Sequence, residues 1–208
     1  MAKADVWPVV HLERKALAAE LAGLRDDQWD RASLCDRWSV RDVLAHMTAT
    51  AEMTGPRFFA KLIGSGFSLT RLQTKDIARS RGATPADTLA AFERRVDTTT
   101  GPPGPAETML GETIVHAEDI RRPLGIAHTY PLDAVVRVAD FYKASNLIIG
   151  AKRRIAGVEL RATDTEWAHG AGPTASGPML ALVLAMTGRQ AALRDLTGDG
   201  VAVLADRM

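Results

Sequence analysis

Two groups of helix breakers fence one long helix, and no other stretch limits the fold as tightly. Gly101-Pro102-Pro103-Gly104-Pro105 cannot carry a regular hydrogen-bond ladder. Pro123 and Gly125 close the far end, since proline interrupts the ladder and glycine accepts a left-handed cap. Between them the sequence predicts a helix over about residues 106–122. Glu112 and His116 are four apart, so they stack on one helix face, one turn above the other. Ile114, Ala117 and Ile120 fall on other, partly apolar faces. A carboxylate and an imidazole at this spacing can grip a divalent metal ion but cannot complete its site.

The rest of the chain supplies more helices and one candidate for the missing ligand. Apolar residues at Val9, Leu12, Ala16, Leu17, Leu21 and Leu24 form a helical stripe over 9–24. A loop over 25–38 follows, in which Trp29 and Trp38 are expected to lid the core, given the apolar area each buries. Ser39, with Asp42 three residues on, predicts a capped helix start. Val40, Val43, Leu44, Met47 and Ala51 form its inward stripe, and His46 sits beside that stripe. This helix could reach residue 63, with a kink or break at Gly55-Pro56. Residues 67–81 are ambiguous. Thr84-Pro85-Ala86-Asp87 is a strong helix start, with a capping threonine and a first-turn proline. A further helix is predicted over 132–149, its stripe running through Val135, Val138, Ala139, Tyr142, Leu147 and Ile148.

The pattern changes after Gly150. Residues 158–163 alternate with period two, which argues a half-buried strand, with 166–169 as a partner. The Gly-, Pro- and Ser-rich 170–178 reads as a loop, 179–186 as a buried helix, and 190–196 and 198–204 as short elements. The expected architecture is therefore four or five helices over residues 1–150, then a small α+β domain over 151–208.

Composition excludes several functions. With a net charge of +1 over 208 residues, there is no clustered cationic excess for nucleic acid. No run of about 18 apolar residues exists, so no membrane span is expected. The first ten residues lack the pattern of a signal peptide, and a cytoplasmic location fits best. Cys35 is the single cysteine, which rules out an intramolecular disulfide and a Cys-rich zinc site. Nothing nearby marks Cys35 as reactive beyond Arg37 and a helix start, so a structural role is expected.

Zinc takes His nitrogen and carboxylate oxygen readily, and catalytic zinc sites keep a fourth position open. His46, Glu112 and His116 meet that need if their helices face each other, as in other bundles that build metal sites in their cores. Nickel is an alternative, because such ligands discriminate weakly among late first-row metals. The bland reading stays open: a Glu-x-x-x-His pair is common by chance, and a helical His is often just a satisfied polar residue. Asp119 could orient a ligand imidazole or pair with Arg122 on its own helix. Glu118, Arg121 and Arg122 read as a solvated face near a helix C-terminus, and His11, His128 and His169 as surface or capping residues.

Trp38-Ser39-Val40-Arg41-Asp42-Val43-Leu44-Ala45-His46 and the run from Glu112 through Gly125 resemble the mycothiol-dependent maleylpyruvate isomerase family, within the DinB-like metal-binding superfamily. The resemblance extends over most of the chain, including Leu160 to Trp167 and Leu184 to Arg189. It implies an up-down four-helix bundle followed by a small sterol-carrier-like α+β appendage. It also implies His46, Glu112 and His116 as metal ligands, with a mycothiol-like thiol as the fourth. The implied activity is a metal-activated thiolate adding to a small electrophile, for isomerisation or S-transfer. Arg161 and Arg189 are candidate counterparts of the arginine that the isomerase takes from its C-terminal domain. The alternatives are a non-catalytic bundle holding a metal or small ligand, and a structural bundle with a vestigial site. Monomer and homodimer both fit.

Overall fold

A computed structural model describes residues 5–146 and 149–208. By its internal contacts the chain divides into two compact units, 1–128 and 129–208. The fold is mainly helical, a bundle of helices plus a small mixed α+β region.

The first unit holds α1 (Trp7–Leu21), α2 (Asp26–Trp29), α3 (Val40–Ala51), α4 (Gly55–Gly64), α5 (Leu69–Ser80), α6 (Pro85–Glu93) and α7 (Glu107–Leu124). The expected caps form. The Ser39 amide donates to the Asp42 carboxylate at 3.0 Å and the Asp42 amide to the Ser39 hydroxyl at 3.2 Å. Thr84 and Asp87 repeat that exchange at the start of α6. Each box satisfies amides that a helix start leaves without partners. The ambiguous 67–81 is helical as α5.

The expected break at Gly55-Pro56 is complete, and Pro56 opens a new helix, α4. Proline has no N–H for the carbonyl four residues back, and the Arg57 guanidinium donates to that Glu52 carbonyl at 3.2 Å instead. Pro123 behaves differently. It lies inside the last turn of α7 rather than ending it, and Gly125 makes the left-handed cap at φ 71°. The carbonyl that Pro123 leaves without a helical donor is that of Asp119, and the Leu34 amide takes it at 3.1 Å.

The bundle core joins Leu17, Leu21, Trp29, Val43, Leu44, Met47, Phe92, Ala117 and Ile120. Its helices meet as α3 packs on α5, α6 and α7, and α1 packs on α6 and α7. Trp29 is buried here as expected, and Trp38 packs against the edge of the cluster.

The second unit contains α8 (Leu132–Tyr142), α9 (Ala151–Arg154), β1 (Glu159–Ala162), β2 (Ala168–His169), β3 (Thr174–Gly177), α10 (Met179–Met186), a 3-10 helix (Gln190–Asp195) and α11 (Gly200–Ala205). α8 belongs to this second unit by its contacts. The apolar stripe of α8 packs on α10, whose eight residues are all apolar and need cover on every side. α8 stops at Tyr142, short of the expected residue 149, and Leu147 and Ile148 lie outside the described residues.

The sheet order is β2-β1-β3. β2 runs antiparallel to β1, as expected of a partner strand, with Leu160 opposite His169. β3 is a correction. The expected loop over 170–178 contains a strand parallel to β1, with Leu160 opposite Ala175. Its small residues hid it, because Thr-Ala-Ser-Gly carries no β-branched or aromatic run to mark a strand. Smallness is what the place requires: a Cβ on Gly177 would meet the Asp195 carbonyl oxygen at 2.6 Å.

Candidate metal centre

Two helices of the first unit build the site. Ser39 starts α3 in the register that points Val43 and Met47 into the core, and His46 follows at the margin of that stripe. The breakers around α7 let one uninterrupted helix carry Glu112 and His116 a turn apart. α3 and α7 pack together, and this brings the three residues into one place. One ligand atom from each of His46, Glu112 and His116 lies within 4.8 Å of the others. The two imidazole rings stand nearly perpendicular, with centroids 4.9 Å apart. Trp38 leans over both, 4.9 Å from the His46 ring and 6.3 Å from that of His116.

The Glu112 carboxylate is the anomaly of the site. Both its oxygens are buried and neither has a hydrogen-bond partner among the described residues. Burial pushes its pKa up, against the opposing charges of His116 and Arg14. Arg14, wholly buried on α1, is similarly underused: its Nε and Nη2 have no partner, and only Nη1 bonds, to Thr98. Native proteins rarely leave buried polar atoms unpaired without a functional cause. A buried carboxylate facing two imidazoles suits a divalent cation, and the donor set of two nitrogens and one oxygen is one zinc accepts.

Asp119 engages a ligand imidazole on its own helix. Its Oδ2 lies 2.8 Å from His116 Nδ1, and the Cys35 thiol donates to the same oxygen at 3.0 Å. With Nδ1 engaged, Nε2 is the nitrogen His116 can offer a metal. Burial works against a charged His116 ring, but the contacts with Asp119 and Cys35 outweigh it and raise the pKa to about 10.

Cys35 also reaches the metal-site histidine, its Sγ lying 3.7 Å from His116 Nδ1. Cys35, His116 and Asp119 form a second cluster with metal-ligand spacing that shares His116 with the first. No local signal could reveal this, because Cys35 reaches α7 through the Leu34 amide on the Asp119 carbonyl.

The expected solvated face at the end of α7 is also corrected. Arg121 is wholly buried and Glu118 nearly so. The Arg121 Nε donates to Glu20 at 2.7 Å, and Arg122 pairs with Glu118 at 3.0 Å. His128 lies between Glu13 at 2.7 Å and Glu20 at 3.3 Å. Arg121 and His128 face the acids of α1 instead of water. Glu13 and Glu20, seven residues apart and so on one helix face, were the available signal. His11 meets the Thr98 carbonyl at 3.2 Å, and His169 is in β2. In the second unit Arg161 donates to Glu159 and Arg189 to the Thr187 carbonyl.

Comparison with known proteins agrees with this architecture. Residues 10–101 match the family model described as the mycothiol maleylpyruvate isomerase N-terminal domain; His46 falls inside the match, Glu112 and His116 beyond it. The crystal structure of a mycothiol-dependent maleylpyruvate isomerase is similar with a TM-score of 0.58 and 14% identity, over 93% of this chain and 91% of that one. A histidine-to-alanine mutant of the isomerase gives a TM-score of 0.63 and 16% identity over the same shares. At such identity the likeness establishes the fold. No curated protein sequence matches the chain. Among the described residues, no helix is long and apolar enough to cross a membrane.

Proposed function

We propose, from the link that the matched domain and the shared fold make between this chain and the mycothiol-dependent maleylpyruvate isomerase / DinB-like family, that the protein is a metal- and thiol-dependent enzyme. His46, Glu112 and His116 hold one divalent ion, zinc or alternatively nickel. A mycothiol-like thiol takes the open position, and a small electrophile undergoes isomerisation or S-transfer. The observation that carries this reading is the buried, unpartnered Glu112 carboxylate within 4.8 Å of two imidazoles.

When bound, the metal would supply the acidity that turns a thiol of pKa about 8.5 into a thiolate at neutral pH. The protein's own groups prepare for it. Asp119 holds His116 by Nδ1 and fixes the ring's orientation. Glu112 brings a negative charge that offsets part of the ion's charge. Trp38 covers the two histidines and limits water at that face.

Isothermal titration of mycothiol into zinc-loaded protein tests the reading. Saturable binding that disappears with the metal is the expected result. Metal uptake without thiol binding would overturn the enzyme assignment and leave a metal-binding bundle.

A further inference from the structure

The net charge of +1 is unevenly spread along the chain. Residues 55–80, which form α4, the turn after it and α5, hold five cations and a single acid. That acid, Asp76, is buried and already bonded to Lys61 at 2.7 Å. Arg71, Lys75 and Arg79 stand four residues apart on α5 and so form one stripe, and all three are exposed. Lys75 donates to the Gly64 carbonyl at 2.8 Å, and a Cβ on Gly66 would lie 3.5 Å from Arg71 Nη1. The stripe therefore reaches the end of α4 and the turn that follows it.

The same place carries an apolar surface that the bundle does not use. α4 packs on α5, yet none of its residues is buried. Pro56, Phe59, Ala60 and Ile63 share its outer face by helical spacing, and all four are exposed. Phe59 is 57% exposed, Ile63 63% and Phe67 73%. Phe67 adopts a left-handed φ of 59°, a region that bulky side chains rarely enter. Its amide bonds the Leu62 carbonyl at 2.9 Å, which closes the turn with the ring outside. Among the described residues, four of the seven large exposed apolar side chains fall within 59–69, Leu69 being the fourth. Together they make a patch on the order of 400 Å², a size that marks an interaction site when it is contiguous.

Apolar side chains edged by cations select the partner. A second copy of the chain would set one cationic stripe against another across a two-fold axis, and like charges oppose that docking. A protein partner also needs about 800 Å² per side for a stable interface, twice what the patch offers. A nucleic acid would answer the charge, but Ile63 and Leu69 give its bases no ring to stack on. An anionic bilayer answers both features. Its headgroups attract the cations, and the boundary between headgroups and acyl chains accepts the apolar side chains.

We propose that α4 and the α4–α5 turn form a peripheral docking surface for an anionic lipid bilayer. Phe59, Ile63 and Phe67 enter the headgroup boundary, while Arg71, Lys75 and Arg79 lie against the lipid phosphates. This segment rests on the membrane without crossing it.

Co-flotation of the full chain with lipid vesicles tests this. Vesicles of phosphatidylcholine with about one third phosphatidylglycerol should carry the protein, and phosphatidylcholine alone should bind it at least about tenfold more weakly, since each cation near an anionic surface is worth about fivefold. Binding should fall as salt rises. The double variant Phe59→Gln/Phe67→Asn should weaken binding to the anionic vesicles about tenfold or more, through the lost apolar insertion. Both side chains are exposed and asparagine tolerates left-handed backbone, so the variant should fold, and circular dichroism checks that it does. No flotation with anionic vesicles, equal binding to both vesicle types, or undiminished binding in the double variant would each overturn the proposal. So would a dimer in sedimentation equilibrium that the double variant dissolves, which would give the patch to a second copy, or saturable binding of a single-stranded oligonucleotide that the same variant abolishes.

Discussion

Replacing Asp119 by asparagine changes one charge in a wholly buried place while keeping shape and volume. The carboxylate lies 2.8 Å from His116 Nδ1 and accepts from Cys35 at 3.0 Å. An asparagine oxygen can still accept a hydrogen bond from Nδ1–H, but it brings no negative charge to make the imidazole a better donor to metal. If the amide instead turns its NH₂ toward Nδ1, the ring proton moves to Nε2 and the metal-binding nitrogen is blocked. Either outcome weakens metal binding. Outer-sphere partners of this kind are typically worth 10–100-fold, about 1.4–2.8 kcal/mol. The backbone contact from Leu34 to the Asp119 carbonyl is retained, so the loop carrying Cys35 should stay in place. Zinc affinity measured by competition with a chromophoric chelator at neutral pH is the assay, with a thermal melt as a check on folding. A variant that melts normally and binds zinc within about twofold of the parent would refute the positioning role, since even the low end of the range is larger.

Three further outcomes follow from the same geometry. His46→Ala and His116→Ala should each abolish metal uptake, which in the parent should approach one equivalent by elemental analysis, while helical circular dichroism persists because the apolar stripes carry the core. In metal-free protein the folded pKa of His116, about 10, lies above its ordinary value of 6.5. Its contribution to stability is thus fully present below about pH 6.5 and is lost as the pH rises through about 10; thermal melts across that window should show a decline that Asp119→Asn reduces. Arg121→Leu should cost about 3–5 kcal/mol in denaturant unfolding, because Glu20 and Glu13 would lose the cation buried against them, whereas an effect under about 1 kcal/mol would place this cluster among the weak, solvent-screened pairs.

The local rules of the chain were legible without its fold. Ser39 with Asp42 and Thr84 with Asp87 each complete a capping exchange within three residues, so the helix starts were readable. Pro56 divides α3 from α4 for the same reason, since the missing N–H belongs to the residue itself. The Glu112–His116 pair was readable because one helical turn sets its geometry. The resemblance carried the remaining step, from that pair to His46.

What the sequence left open depended on which surfaces meet. Pro123 announces that the Asp119 carbonyl loses a donor, but not that the Leu34 amide replaces it and thereby brings Cys35 to His116. Asp119 had two partners within reach along its own helix, and only the tertiary structure shows it engaging His116 together with Cys35 of the 30–38 loop. Arg121 reads as solvated until α1 supplies Glu13 and Glu20. The strand at Thr174–Gly177 lacks any propensity signal, and pairing with β1 creates it. Hydrogen bonds that close within a turn are fixed by residue identity and spacing; burial and long-range pairing belong to tertiary packing, which decides how far each polar group is from water.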